Sequence, residues 1–138
     1  MTRLLFERER ADFPQVSSAI SRLRPGCAWW MEEESLENLH WEESNTVDPP
    51  TQEEIDAEIE IITQEFIEFN LRRQRDMLLY ETDWIVTKYA ELGQPVPDEW
   101  KTYRQALRDI TQNIDGLVID PEEICMVGNV NWPQKPNS

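Results

Sequence analysis

The chain has 138 residues, enough for one domain or two small ones. It sets 13 Lys and Arg against 28 Asp and Glu, a formal charge of −15. That balance argues against a nucleic-acid backbone as partner, because phosphates call for clustered cations. No apolar run of about 18 residues offers a membrane span, and the charged opening Met1–Arg10 does not read as a signal peptide. Two cysteines, Cys27 and Cys125, supply neither a disulfide scaffold nor a four-thiolate zinc site, and fit a reduced cytoplasm.

The charge is uneven. Residues 1–24 sum to +2, residues 25–68 to −14 with no Lys or Arg, and residues 69–138 to −3. The plain reading of the middle block is a solvated, self-repelling surface. A docking face for a basic partner is a second reading. An acidic DNA mimic is a third, weakened because the acids alternate with Ile and Phe.

In chain order, Arg3-Leu4-Leu5-Phe6 reads as an edge strand or an arm that orders on binding. Asp12–Arg24 predicts a short helix, with Pro14 in its first turn and Val16, Ala19, Ile20 and Leu23 at helical spacing. Pro25-Gly26 ends it. Cys27–Met31 and Leu39–Trp41 predict a β-hairpin around a polar turn. Ser44–Pro50 is a linker. Thr51-Gln52-Glu53-Glu54 is a capping box, in which the Thr51 hydroxyl accepts from the Glu54 amide and Glu54 reaches back to the Thr51 amide.

Ile55, Ile59, Ile62, Phe66 and Phe69 then form a heptad-like stripe on a long acidic amphipathic helix predicted to run to about Leu79. A helix of this length projects or pairs, and a second copy is one partner open to it. Thr82-Asp83 predicts the cap of a separate helix, Trp84–Leu92, ended by Gly93. Pro97 opens another, on which Trp100, Tyr103, Leu107, Ile110 and Ile114 share a face until Asp115-Gly116. Residues 117–138 read as an extended tail with at most short strands, one whose removal after Gly116 leaves a folded chain. The expected class is α+β. Residues 1–48 form a small helix-plus-hairpin module, residues 49–80 the long helix, and residues 81–138 a helical hairpin with an extended tail.

The lone histidine, His40, sits beside Trp41 without a nucleophile motif. The four glycines are single, so no phosphate loop exists. His40, Cys27 and Cys125 lack metal-ligand spacing. The expectation is no enzyme, no cofactor and no metal. What remains is the Arg and aromatic content of the C-terminal half, a composition typical of interfaces. Trp84, Trp100 and Tyr103 are expected to pack the hairpin. Arg104 and Arg108, one turn apart, either pair with Asp76, Asp83 or Asp109 or meet an acidic partner.

Arg75-Asp76-Met77-Leu78-Leu79-Tyr80-Glu81-Thr82-Asp83-Trp84 resembles the R-x-x-L-L-x-x-T-D-W element of the tail assembly chaperones of tailed phages. Trp100-Lys101-Thr102-Tyr103-Arg104-Gln105-Ala106-Leu107-Arg108-Asp109-Ile110 is similar to their W-x-x-Y-R-Q-A-L-R-D-I element, and Trp132-Pro133-Gln134-Lys135-Pro136 to their closing W-P-x-x-P. A departure is Asp120–Met126, which stands where a short Phe-Pro-type turn belongs. The first half, from Ala19 to Ile55, is more loosely similar to small phage tail accessory proteins. The resemblance implies a non-enzymatic helper that binds a phage tail fibre protein in the host cytoplasm and assists its folding, trimerisation or attachment. A structural tail or baseplate component is the alternative. Arg104, Arg108 and Trp132, with Trp84 and Tyr103, are the candidate partner-binding residues, and no nucleic acid or membrane is expected as partner.

Overall fold

The computed structural model describes residues 11–123 and 125–137. The Arg3–Phe6 expectation lies outside them. The architecture is α+β: α1 (Val16–Leu23), β1 (Trp29–Met31), β2 (Leu39–Trp41), α2 (Gln52–Glu91), α3 (Asp98–Asp109), β3 (Val118–Ile119) and β4 (Val127–Gly128). Packing divides the chain into two units, Met1–Phe66 and Ile67–Ser138, and α2 contributes its opening turns to the first and the rest to the second.

In the first unit, β1 and β2 pair antiparallel with Trp29 opposite Trp41, Trp30 opposite His40 and Met31 opposite Leu39. The two-residue alternation of strands turns Trp29, Met31, Leu39 and Trp41 onto Ala19, Ile20, Ile55 and Ile62. Trp30 and His40 face outward and stack with centroids 3.6 Å apart. The loop after β2 is tied down by Asn45. Its Oδ1 accepts from the Ala28 amide (2.8 Å) and its Nδ2 donates to the Ala28 carbonyl (2.7 Å), so one side chain extends the ladder. Trp41 Nε1 donates to the Val47 carbonyl at 3.0 Å.

The acidic block is partly neutralised by arginines of α1 and its C-terminal cap. Arg22 pairs with Asp12, Glu58 and Glu65, and Arg24 with Glu54. The Glu65 hydrogen bond, foremost, holds the Arg22 guanidinium above its ordinary range. Half of the capping box forms. The Glu54 amide donates to Thr51 Oγ1 (3.2 Å), while the Glu54 carboxylate turns to Arg24 instead of the Thr51 amide. Ile62 is fully buried and its neighbour Ile61 half exposed. Ile62→Ala is therefore expected to lower unfolding free energy by about 2–5 kcal/mol, and Ile61→Ala by no more than about 0.5 kcal/mol. Urea denaturation measures both, and equal effects would refute the packing.

The predicted break near Leu79 does not occur, because α2 runs unbroken to Glu91. Thr82 is buried mid-helix, not at a cap, and its hydroxyl bonds back to the Leu79 carbonyl at 3.1 Å, a bond open to Thr inside a helix. The first arm of the helical hairpin is thus the end of α2. Gly93 closes it with φ +64°: the Gly93 amide donates to the Ala90 carbonyl and the Gln94 amide to the Tyr89 carbonyl, a Schellman pattern. Helix α3 stops at Asp109 and gives way to a 3-10 turn, Ile110–Gln112, short of the predicted Ile114. Its apolar stripe serves two cores. Trp100, Tyr103 and Leu107 pack with Ile85, whereas Ile110 and Ile114 pack on Ile67, Leu71 and Val127.

The tail forms β3 and β4, with Val118 opposite Gly128 and Ile119 opposite Val127. It is not a separable appendage. Leu117, Ile119, Val127, Val130 and Trp132 cover Ile67 and Leu71, and the Val127 amide donates to Gln74 Oε1 at 2.9 Å.

Candidate partner-binding surface

Helix α3 delivers Trp100 and Tyr103 to the core of the second unit, where their rings meet edge to face at 6.1 Å. Burial, and then the Glu81 carboxylate, push the Tyr103 phenol above its ordinary range. The next residue, Arg104, is 8% exposed. Its Nη1 donates to the Leu79 carbonyl (2.9 Å) and to Thr82 Oγ1 (2.6 Å), and its Nη2 to Asp83 Oδ1 (2.8 Å). Of the alternatives the sequence leaves open, Arg104 takes the internal Asp83 pair and ties α3 to α2.

Arg108 is exposed, and its carbonyl accepts from Arg75 Nη1 at 3.2 Å. Trp132 is partly buried and packs against both cores of the unit. Trp84 departs from expectation. It is 58% exposed, and the core position on this turn belongs to Ile85. The predicted set therefore divides: Tyr103, Arg104 and Trp132 lie in or against the core, while Trp84 and Arg108 face solvent.

Trp84 is not alone outside. Met77 and Tyr80 are 64% and 80% exposed. Spacings of 3 and 4 put Met77, Tyr80 and Trp84 on one face of α2, and the Lys88 ammonium lies 6.0 Å from the Trp84 ring. Sequence reasoning misses Met77 and Tyr80, although the 3–4 spacing was there to read beside Trp84. A row of one Met and two large aromatics left in water has the composition of protein-binding hot spots. Among the described residues, no cluster of His, Cys, Asp or Glu is placed to hold a metal, and no helix is long and apolar enough to cross a membrane.

An exposed aromatic helix face on a small acidic α+β scaffold defines a chain equipped for contact with other proteins. The family model of the phage tail assembly chaperone protein matches residues 69–137, which contain the aromatic face, α3 and the tail. The chain belongs to the phage tail assembly chaperone family. Neither the curated proteins nor the solved structures contain a match.

Proposed function

We propose that this chain is a tail fibre assembly chaperone: it binds the fibre protein while that protein folds and trimerises, and acts by covering surface, not by catalysis. The Met77–Tyr80–Trp84 face, inside the family-matched segment, carries the reading. Trimeric β-rich fibres have high contact order, so their apolar surfaces and strand edges stay exposed while they fold. A rigid helix presenting Tyr and Trp can occupy such surface with little loss of side-chain entropy, and the flexible Met adapts to its irregularities.

Co-expression with the phage's own fibre protein tests this, read as the yield of soluble trimer and as co-purification. Trp84→Ala with Tyr80→Ala is expected to weaken fibre binding by about 2–4 kcal/mol and to leave thermal stability within about 0.5 kcal/mol, since both side chains lie outside the core. Unchanged fibre binding would remove the face from the mechanism. Stoichiometric recovery of the chain from purified virions would favour a retained tail component over a transient chaperone.

A further inference from the structure

An open groove of about 730 Å³ lies in the second unit, between the last turns of α2 and helix α3. Its apolar wall is Val86, Val96 and Ala106. Val86 is nine residues from Met77, half a rotation around the helix, so this surface is distinct from the aromatic face. Along the α3 side stand Lys101 and Arg108, two turns apart and about 10 Å along the axis. Both are exposed, and neither side chain has a hydrogen bond or ion pair among the described residues. Two further charged side chains line the groove, Arg104 paired with Asp83, and Asp109 with no cation partner among the described residues. The Arg104 guanidinium is engaged by Leu79, Thr82 and Asp83, and Asp109 Oδ1 accepts from the side chains of Gln105 (3.0 Å) and Gln112 (3.4 Å).

The groove therefore presents an apolar wall with two uncommitted cations against one carboxylate, Asp109, a local excess of positive charge in a chain whose formal charge is −15. We propose that it binds an acidic, aliphatic segment of the partner protein, with an aliphatic side chain on Val86, Val96 and Ala106 and flanking carboxylates on Lys101 and Arg108. Arg108 can grip a carboxylate with two parallel N–H donors, and Lys101 offers a compact point charge. A second copy of this chain fits less well, because two bodies of −15 repel at long range, whereas a short segment brings few charges. The proposal deepens the chaperone reading by naming a chemistry for part of the partner, on a surface that can fail without the aromatic face failing.

The test is calorimetric titration of the full chain with three short end-blocked peptides. They share their leucines and valines and carry glutamate, glutamine or lysine at the polar positions. The glutamate peptide is expected to bind about tenfold more tightly than the glutamine one, with the advantage shrinking as salt rises. The lysine peptide is expected to bind weakest. The double variant Lys101→Glu with Arg108→Glu, checked for an unchanged melting temperature, should reverse that order. The Tyr80→Ala, Trp84→Ala variant should keep it. Equal binding of the glutamate and glutamine peptides, binding of none, or a preference that survives charge reversal would overturn the proposal. So would self-association of the full chain, seen by sedimentation, that the double variant abolishes, since it would assign the groove to a second copy. A glutamate preference without fibre binding would uphold the groove and sink the fibre reading.

Discussion

Truncation after Gly116 is expected to abolish cooperative folding of the C-terminal unit. Its 3-10 turn and tail cover Ile67 and Leu71, and truncation removes Leu117, Ile119, Val127, Val130 and Trp132 from that cover at once. A fully buried large apolar side chain contributes roughly 1.5–3 kcal/mol, and most of these five are only partly buried. Their combined loss is still on the order of 5 kcal/mol, the lower end of a whole domain's stability. Trp132 also leaves the Ile85–Trp100–Tyr103–Leu107 core, so both cores of the unit are opened. Amide exchange read at Leu71 and Leu107 checks the outcome. Retained protection at both sites would show that the tail only decorates a unit that folds without it, as its turn-rich sequence suggests.

Arg104→Ala is the second large effect. Three acceptors on α2 converge on one guanidinium, two of them meeting the same nitrogen. The Asp83 side chain is 58% exposed, so its ion pair is discounted for solvent screening. The larger share comes from the hydrogen bonds to Leu79 and Thr82 and from the packed stem of a side chain only 10% exposed. Alanine is expected to cost about 2–4 kcal/mol of unfolding free energy. Lysine should recover only part, because an ammonium lacks the planar fork. A double-mutant cycle between Arg104→Ala and Thr82→Val is expected to show coupling of about 0.5–3 kcal/mol. If Arg104→Ala left the melting temperature unchanged while weakening fibre binding, the residue would belong to the partner surface after all.

These expectations show where sequence reasoning ends. Elements whose signals are local could be read directly: the β-hairpin, the Thr51 cap, and the Gly93 stop, whereas the register that puts Trp29, Met31, Leu39 and Trp41 on one face came with the fold. Thr82-Asp83 could not be resolved in the same way. A Thr-Asp pair caps a new helix or bonds back within an old one, and the local chemistry supports both. The choice was made from outside the segment, by Arg104 arriving from α3 to take the Thr82 hydroxyl and the Asp83 carboxylate.

Trp84 and the aromatic face follow the same logic. Helical period states which residues share a side, but not which side meets a neighbour. In the first unit α2 buries Ile55, Ile62 and Phe66. In the second its buried positions include Ile67, Leu71, Thr82 and Ile85, and Phe69 falls only partly inside. That phase change leaves Met77, Tyr80 and Trp84 in water. The sequence by itself determined the α+β class, the hairpin, the long acidic helix and the family resemblance carried by residues 75–84, 100–110 and 132–136, because each rests on local spacing or on residue identity. Only the tertiary structure decided that α2 is one helix, that Arg104 is an internal tie, that the tail is core, and that the aromatic row faces outward. Each of those depends on contacts between residues distant in the chain, and burial belongs to such contacts, not to any side chain alone.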